Sequence, residues 1–204
     1  GGYSTNVLVH AFAGTARATG FGPALVDPFF ASMRMDLERT VHDDASLATY
    51  VHGSAEVVGL MCLHVFLHDL PEEVRRRQLA ALSPGARALG AAFQKVNFLR
   101  DIGDDAVRLG RSYFPGVDPW RLTEAEKHAI LTDIDADMSL AAAAIPALPA
   151  GSARAVRIAH LLFGELLERL RAAPAEDLVH HRVRVPAAAK ARLAGTALLR
   201  GGRA

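Results

Sequence analysis

One cysteine, Cys62, stands in 204 residues, so no internal disulfide can form. A lone thiol suits a reducing, cytoplasmic compartment. Aromatic residues make up only 6% of the chain and the formal net charge is +1, which leaves no electrostatic case for nucleic-acid binding. Long apolar runs are missing too. The longest near the middle, Val57 to Leu63, falls far short of the ~20 residues that span a bilayer. The start, Gly1-Gly-Tyr-Ser-Thr-Asn6, has neither the basic stretch nor the apolar core of a secretory signal. It does not open on Met, so a natural start further upstream is expected. Strand-like alternation, fixed-period repeats and low-complexity linkers are also absent. What remains is a helix-forming mixture rich in Ala, Leu and Arg, half of it hydrophobic. The fold class expected is all-α: one domain over residues 1–204, with eight or so helices on short connections.

Punctuation divides the chain. Asn6 to Arg17 reads as a short helix broken by Gly20 to Pro23. Pro28 opens a helix through Thr40, and Ser46 caps another that runs to about Leu67. Pro71 starts a short charged helix to about Leu82. Ser83-Pro84 then reads as a cap and first-turn proline for a helix that Gly110 ends. After a loop from Arg111 to Trp120, Thr123-x-x-Glu126 is a capping box for a helix to about Ile145. Ser152 caps a helix through Ala172. Val179 to Pro186 reads as extended, and Pro186 opens the last helix.

The chemistry concentrates between Gln94 and Pro115. Asn97, Asp101 and Asp105 fall four residues apart, on one face if the segment is helical. Like charges at that spacing cost a bare helix roughly 0.2–0.5 kcal/mol. The row therefore suggests a missing partner, and a hard cation such as magnesium fits two carboxylates and an amide. A solvated helix face is the alternative, and Arg100, Asp104 and Arg108 suit it as alternating ion pairs. A second carboxylate pair, Asp133 and Asp137, reads as a solvated face, and His180-His181 as exposed loop. Small residues at Gly53, Ser54, Ala55 and Gly59 let something approach the backbone closely, most often another helix.

Asn97-x-x-Arg100-Asp101-x-x-Asp104-Asp105, followed by Gly110-Arg111-x-Tyr113-x-Pro115, resembles the second aspartate-rich motif of the phytoene/squalene synthases, the head-to-head trans-prenyl transferases. The stretch around Tyr50 looks most like bacterial phytoene synthases. The resemblance implies an isoprenoid-synthase-type helical bundle around a central cavity. It implies that Asn97, Asp101 and Asp105 hold Mg2+, or Mn2+ in its place. Tyr50 and Arg100 would serve catalysis. Gly53, Val57, Gln94, Arg111, Tyr113 and Arg182 would bind substrate, with Tyr50, Gly53 and Val57 lining a prenyl tunnel. Two prenyl diphosphates, geranylgeranyl diphosphate in the favoured reading, would join through a cyclopropyl diphosphate to give phytoene for carotenoid biosynthesis. Squalene or presqualene diphosphate synthesis from farnesyl diphosphate is the alternative, and only squalene formation needs NADPH. Prenyl diphosphates are the implied partners, with no nucleic acid and with peripheral membrane contact to release an apolar product.

The departures matter as well. Asp104 replaces Glu, Glu56 replaces a small residue, and Phe163 stands where some members carry Tyr. The family's first aspartate-rich motif finds no match: four residues past Asp27, Asp36, Asp43 and Asp44 stand Ala31, Thr40, Leu47 and Ala48. The resemblance thus covers the later two-thirds or so of a family member: either the N-terminal helices are missing from a fragment, or the protein has lost half its metal site. The piece alone is expected to be inactive and to expose an apolar wall. A non-catalytic assembly or binding protein of the same fold is the rival reading.

Overall fold

The computed structural model describes residues 3–200. Among them lie ten α-helical segments and no strand, with a single isolated parallel bridge between Val41 and Ser112. Helix α1 (Val7–Thr19) starts where the Asn6 side chain accepts hydrogen bonds from the Leu8 and Val9 amides, and ends at Gly20 with φ 81°. Helix α2 (Pro23–Glu38) takes Pro23, not Pro28, in its first turn, and Pro28 lies inside it. Helix α3 (Asp44–Val51) is capped by Asp43, which accepts from the Ser46 amide at 2.7 Å. The Ser46 hydroxyl in turn accepts from the Asp43 amide, so Ser46 is the third-residue partner of a capping box and not the cap.

A single π turn (His52–Glu56) separates α3 from α4 (Val57–Phe66). Such turns insert one extra residue and re-aim the faces beyond it.

Helix α5 (Glu72–Arg100) runs straight through Ser83-Pro84, where a helix start was expected. A mid-helix proline costs ~3 kcal/mol, but burial along one stripe outweighs it. Leu82, Gly85, Ala88, Ala92, Val96 and Leu99 are all buried, and the Ser83 hydroxyl donates to the Leu79 carbonyl at 2.6 Å. The helix ends earlier than the sequence suggests. Asp101, with φ −102° and ψ 10°, breaks it, and α6 (Ile102–Leu109) continues to Gly110 at φ 62°.

Helix α7 (Glu124–Ala144) carries the expected capping box, and a 3₁₀ turn (Ile145–Ala147) follows it. Helix α8 (Ala150–Ala172) begins just after Pro149, before Ser152. Helix α9 (Ala175–His180) takes up part of the segment expected to be extended, because Pro174 opens a helix there. Helix α10 (Ala187–Arg200) comes last.

Helix α5 is the axis, flanked by α4, α7 and α8. The α4 side approaches it at van der Waals limits. A Cβ on Gly59 would lie 2.2 Å from the Ala86 carbonyl oxygen, and one on Gly90 would lie 2.3 Å from that of Ala55. Small residues here bring two backbones together. On α1 and α2, Val7, Leu8, Phe12, Phe30 and Leu37 are exposed.

Candidate active site

The Asp101 break divides the motif between two helices, so Asn97, Asp101 and Asp105 do not share one helix as expected. Backbone hydrogen bonds still carry the row across the junction, from the Asp101 amide to the Asn97 carbonyl at 2.9 Å and from the Asp105 amide to the Asp101 carbonyl at 2.8 Å. The Asp101 carboxylate accepts from Arg100 Nε at 2.9 Å and pairs with Arg182 Nε at 2.7 Å. Arg182 arrives on the coil after α9, which is pressed onto α6 at Gly103. A Cβ on Gly103 would stand 1.9 Å from the Val179 carbonyl oxygen. Burial first, and then the charge of Asp101, hold the Asp105 carboxyl above its ordinary range, against the pull of Arg111. Among the described residues, neither the Asp105 carboxylate nor the Asn97 amide has a side-chain hydrogen-bond partner.

Arg111 and Tyr50 converge on Asp36, and Tyr113 reaches it through Arg111. The Tyr50 hydroxyl donates to Asp36 Oδ1 at 3.0 Å. Arg111 sits 3.4 Å from the same oxygen, donates to the Asp36 carbonyl at 2.8 Å and donates to the Tyr113 hydroxyl at 3.4 Å. Burial, then the neighbouring Tyr113 and Asp36, push the Tyr50 phenol far up, so it remains a neutral donor. The Tyr113 ring stacks on Phe98 (3.9 Å, 9°) and on His42 (5.7 Å, 16°). Sequence reasoning missed His42. The signal was its place just before the capping residue Asp43, where a residue that packs against the helix is common.

His42 is buried, and burial pushes its imidazole below the ordinary 6.5. Arg39 acts in the same direction, while a backbone hydrogen bond at Ser46 and the charges of Asp36 and Asp43 oppose it. Protons therefore bind the unfolded chain first. The stability held by neutral His42 is complete above 6.5 and is lost as pH falls toward the depressed folded value. The melting temperature should decline below about pH 6.5, and His42→Phe should flatten that decline. Parallel melting curves for the two proteins from pH 7.5 to 5 would refute this.

A cavity of about 450 Å³ opens between α4, α5, α7 and α8. Ser54, Val58 and Cys62 line one wall, Gly90, Phe93 and Gln94 another, and Phe66, Leu82 and Leu148 line it farther from the motif. Gln94 Nε2 lies 3.4 Å from the Ser54 hydroxyl at the end nearest the motif. The expected lining by Tyr50, Gly53 and Val57 is not met. Gly53 faces α2, where a Cβ would meet Ser32 Oγ at 2.1 Å. Val57 is fully buried, in a cluster with Ala16 and Phe21. The cavity face is one residue further on, at positions 54, 58 and 62, because the other face is taken by α1 and α2. Glu56 also turns away from the cavity, to Arg87 at 2.7 Å and His52 at 2.8 Å, so its bulk does not intrude. Phe163 stacks on Phe93 at 3.7 Å. Asp133 and Asp137 share Lys95, at 2.5 and 2.8 Å, and His180 and His181 are exposed.

The family model of squalene/phytoene synthase matches residues 2–189. The chain belongs to the squalene/phytoene synthase family. Among its curated relatives is a phytoene synthase of Arthrospira platensis, 38% identical over 101 residues that cover 46% of this chain and 32% of that protein. The chloroplastic phytoene synthase of Narcissus pseudonarcissus is 37% identical over 97 residues, 46% of this chain and 22% of that protein. The bifunctional lycopene cyclase/phytoene synthase of Neurospora crassa is 32% identical over 98 residues, 48% of this chain and 16% of that protein. The matched stretch is thus under a third of each relative's length. A solved structure of TcSQS with the ligand BPH1237 shares the fold, at a TM-score of 0.62 and 20% identity, covering 93% of this chain and 62% of that one.

Squalene/phytoene synthases are typically magnesium-dependent, which puts the donor set to a test. Among the described residues no group of three or more His, Cys, Asp or Glu side chains is placed to hold a metal. Asn97, Asp101 and Asp105 carry oxygen donors, the type a hard cation takes, and the Asp101 carboxylate is engaged by Arg100 and Arg182. Among the described residues no helix is long and apolar enough to cross a membrane.

Proposed function

We propose that this chain forms the second aspartate-rich half of a magnesium-dependent head-to-head prenyl transferase that makes phytoene from two geranylgeranyl diphosphates. The supporting observation is one helical face. Gly90, Phe93 and Gln94 of α5 line the apolar cavity, and Asn97 and Asp101 continue that face. By helix rise, Asp101 lies about 10 Å beyond Gln94. Charge therefore begins where apolar lining ends, as a diphosphate with a prenyl tail requires.

Asn97, Asp101 and Asp105 would hold magnesium, which supplies Lewis-acid stabilisation of the departing diphosphate. Arg100, Arg111 and Arg182 add fixed positive charge at the same end, suited to phosphate oxygens. Arg111 must leave Asp36, and Arg100 and Arg182 must leave Asp101, to make those contacts. The neutral Tyr50 phenol, tied to Asp36, supplies a dipole without a nucleophilic anion. The cavity walls of Ser54, Val58 and Phe93 keep water from the allylic cation. One diphosphate leaves as the two chains join, and proton loss closes the cyclopropyl diphosphate. The second diphosphate then leaves as that ring rearranges, and a final proton loss gives a linear hydrocarbon, with peripheral membrane contact for its release.

The full-length protein carrying this chain, supplied with geranylgeranyl diphosphate and magnesium but no reductant, should release phytoene. Squalene from farnesyl diphosphate and NADPH would overturn the product assignment. No product from either substrate would favour the non-catalytic reading. A wall substitution separates tail from head. Val58→Trp should weaken prenyl diphosphate binding by about tenfold or more and leave inorganic pyrophosphate binding unchanged, both measured by calorimetry. Equal losses for the two ligands would count against the cavity as the tail site.

A further inference from the structure

We infer that His42 is a positioning residue whose ring holds Tyr113, and through it Arg111, in place at the diphosphate end of the site. The inference rests on the reading of Arg111 as a diphosphate ligand.

Arg111 has no helix to fix it. It follows Gly110, the left-handed residue that ends α6, and lies on coil. What holds this coil is the connection between α2 and α3. The Ser112 amide donates to the Thr40 carbonyl at 2.8 Å, and the His42 amide donates to the Ser112 carbonyl at 3.3 Å. The two segments lie side by side as a single parallel bridge. The side chains repeat the pairing. His42 stacks on Tyr113 at 5.7 Å and 16°, and tilts against Tyr50 at 5.1 Å and 52°. Tyr113 also stacks on Phe98, at 3.9 Å. The Tyr113 hydroxyl in turn accepts from Arg111. His42 is only 5% exposed, and its Nδ1 is a buried polar atom without a hydrogen-bond partner. Besides a backbone hydrogen bond at Ser46, the contacts His42 makes at this site are those of its ring faces and its backbone amide. Its charged and titratable neighbours are Asp36 and Arg39 from the α2 end, Asp43 and Tyr50 from α3, and Tyr113 from the coil.

The test uses two probes on the full-length protein: inorganic pyrophosphate with magnesium for the head, and geranylgeraniol for the tail. His42→Ala should weaken pyrophosphate by about tenfold and leave geranylgeraniol within about twofold of wild type. His42→Phe keeps both ring faces and should restore pyrophosphate affinity. On an Arg111→Ala background, His42→Ala should cost nothing further, because its effect passes through Arg111. Unchanged pyrophosphate binding by His42→Ala overturns the inference, and so does a His42→Phe protein as weak as the alanine variant. Equal loss of both probes returns His42 to a purely structural role. A wild-type protein that binds geranylgeraniol but not pyrophosphate overturns the reading of Arg111 itself, and the inference with it.

Discussion

Asp101→Asn in the full-length protein should abolish turnover of geranylgeranyl diphosphate, by at least about 10³-fold, with the helices intact. Asp101 is the middle member of the Asn97, Asp101, Asp105 row, so it alone has a donor on either side. Asparagine keeps the shape and one acceptor oxygen but removes the charge that a hard cation needs. Stability should move little, because two effects oppose. Arg100 and Arg182 lose an anion. Asp105, held up partly by the charge of Asp101, ionises more easily. Product formation and melting temperature, each with and without magnesium, check both halves. Near-normal turnover would remove the metal role, and an unfolded variant would make Asp101 structural.

The second large effect is on folding. Replacing a helical glycine by alanine ordinarily stabilises by about 1 kcal/mol. At Gly103 the sign should reverse. The new Cβ would stand 1.9 Å from the Val179 carbonyl oxygen and 2.6 Å from its carbon. Both are backbone atoms, so α9 itself must move. Overpacking of this kind costs about 1–3 kcal/mol, a fall of several degrees for a chain of this size, at about 2–4 °C per kcal/mol. Arg182 follows α9 on the chain, so its pairing with Asp101 should loosen too. Gly151→Ala is the control, because its Cβ would meet nothing within 4 Å. If Gly103→Ala melts at or above the wild-type temperature, the close packing of α6 on α9 is wrong.

The motif and the helical class were legible because both are local. Asn97, Asp101, Asp105, Arg111 and Tyr113 form one continuous word, and the Thr123–Glu126 box and Gly110 mark ends by backbone rules that need no partner. The misreadings have a common cause. Pro84 looks like a helix start until Gly85 is seen against Ala144 of α7, a contact that sequence spacing cannot show. The cavity face was placed at Tyr50, Gly53 and Val57, but which stripe of an apolar helix faces a void depends on what covers the others. Here α2 covers Gly53, and the wall falls at Ser54, Val58 and Cys62. The break at Asp101 was hidden because the hydrogen bonds run on across it. Asp36 and His42 meet Arg111 and Tyr113 because residues 40–42 pair with Ser112, and those two stretches lie far apart in sequence.

Cys62 offers the most direct measurement. It is the single cysteine of the chain and it lines the apolar cavity. Its rate of alkylation by a small maleimide can be followed with magnesium and an unreactive prenyl thiodiphosphate, and compared with magnesium and pyrophosphate alone. Burial holds the thiol above its ordinary range, so labelling is best followed at mildly alkaline pH. Protection by the prenyl compound but not by pyrophosphate, lost in Asp101→Asn, is the result expected if the tail fills this cavity while the motif holds the head. Cys62 labelling at the same rate under every condition would contradict it.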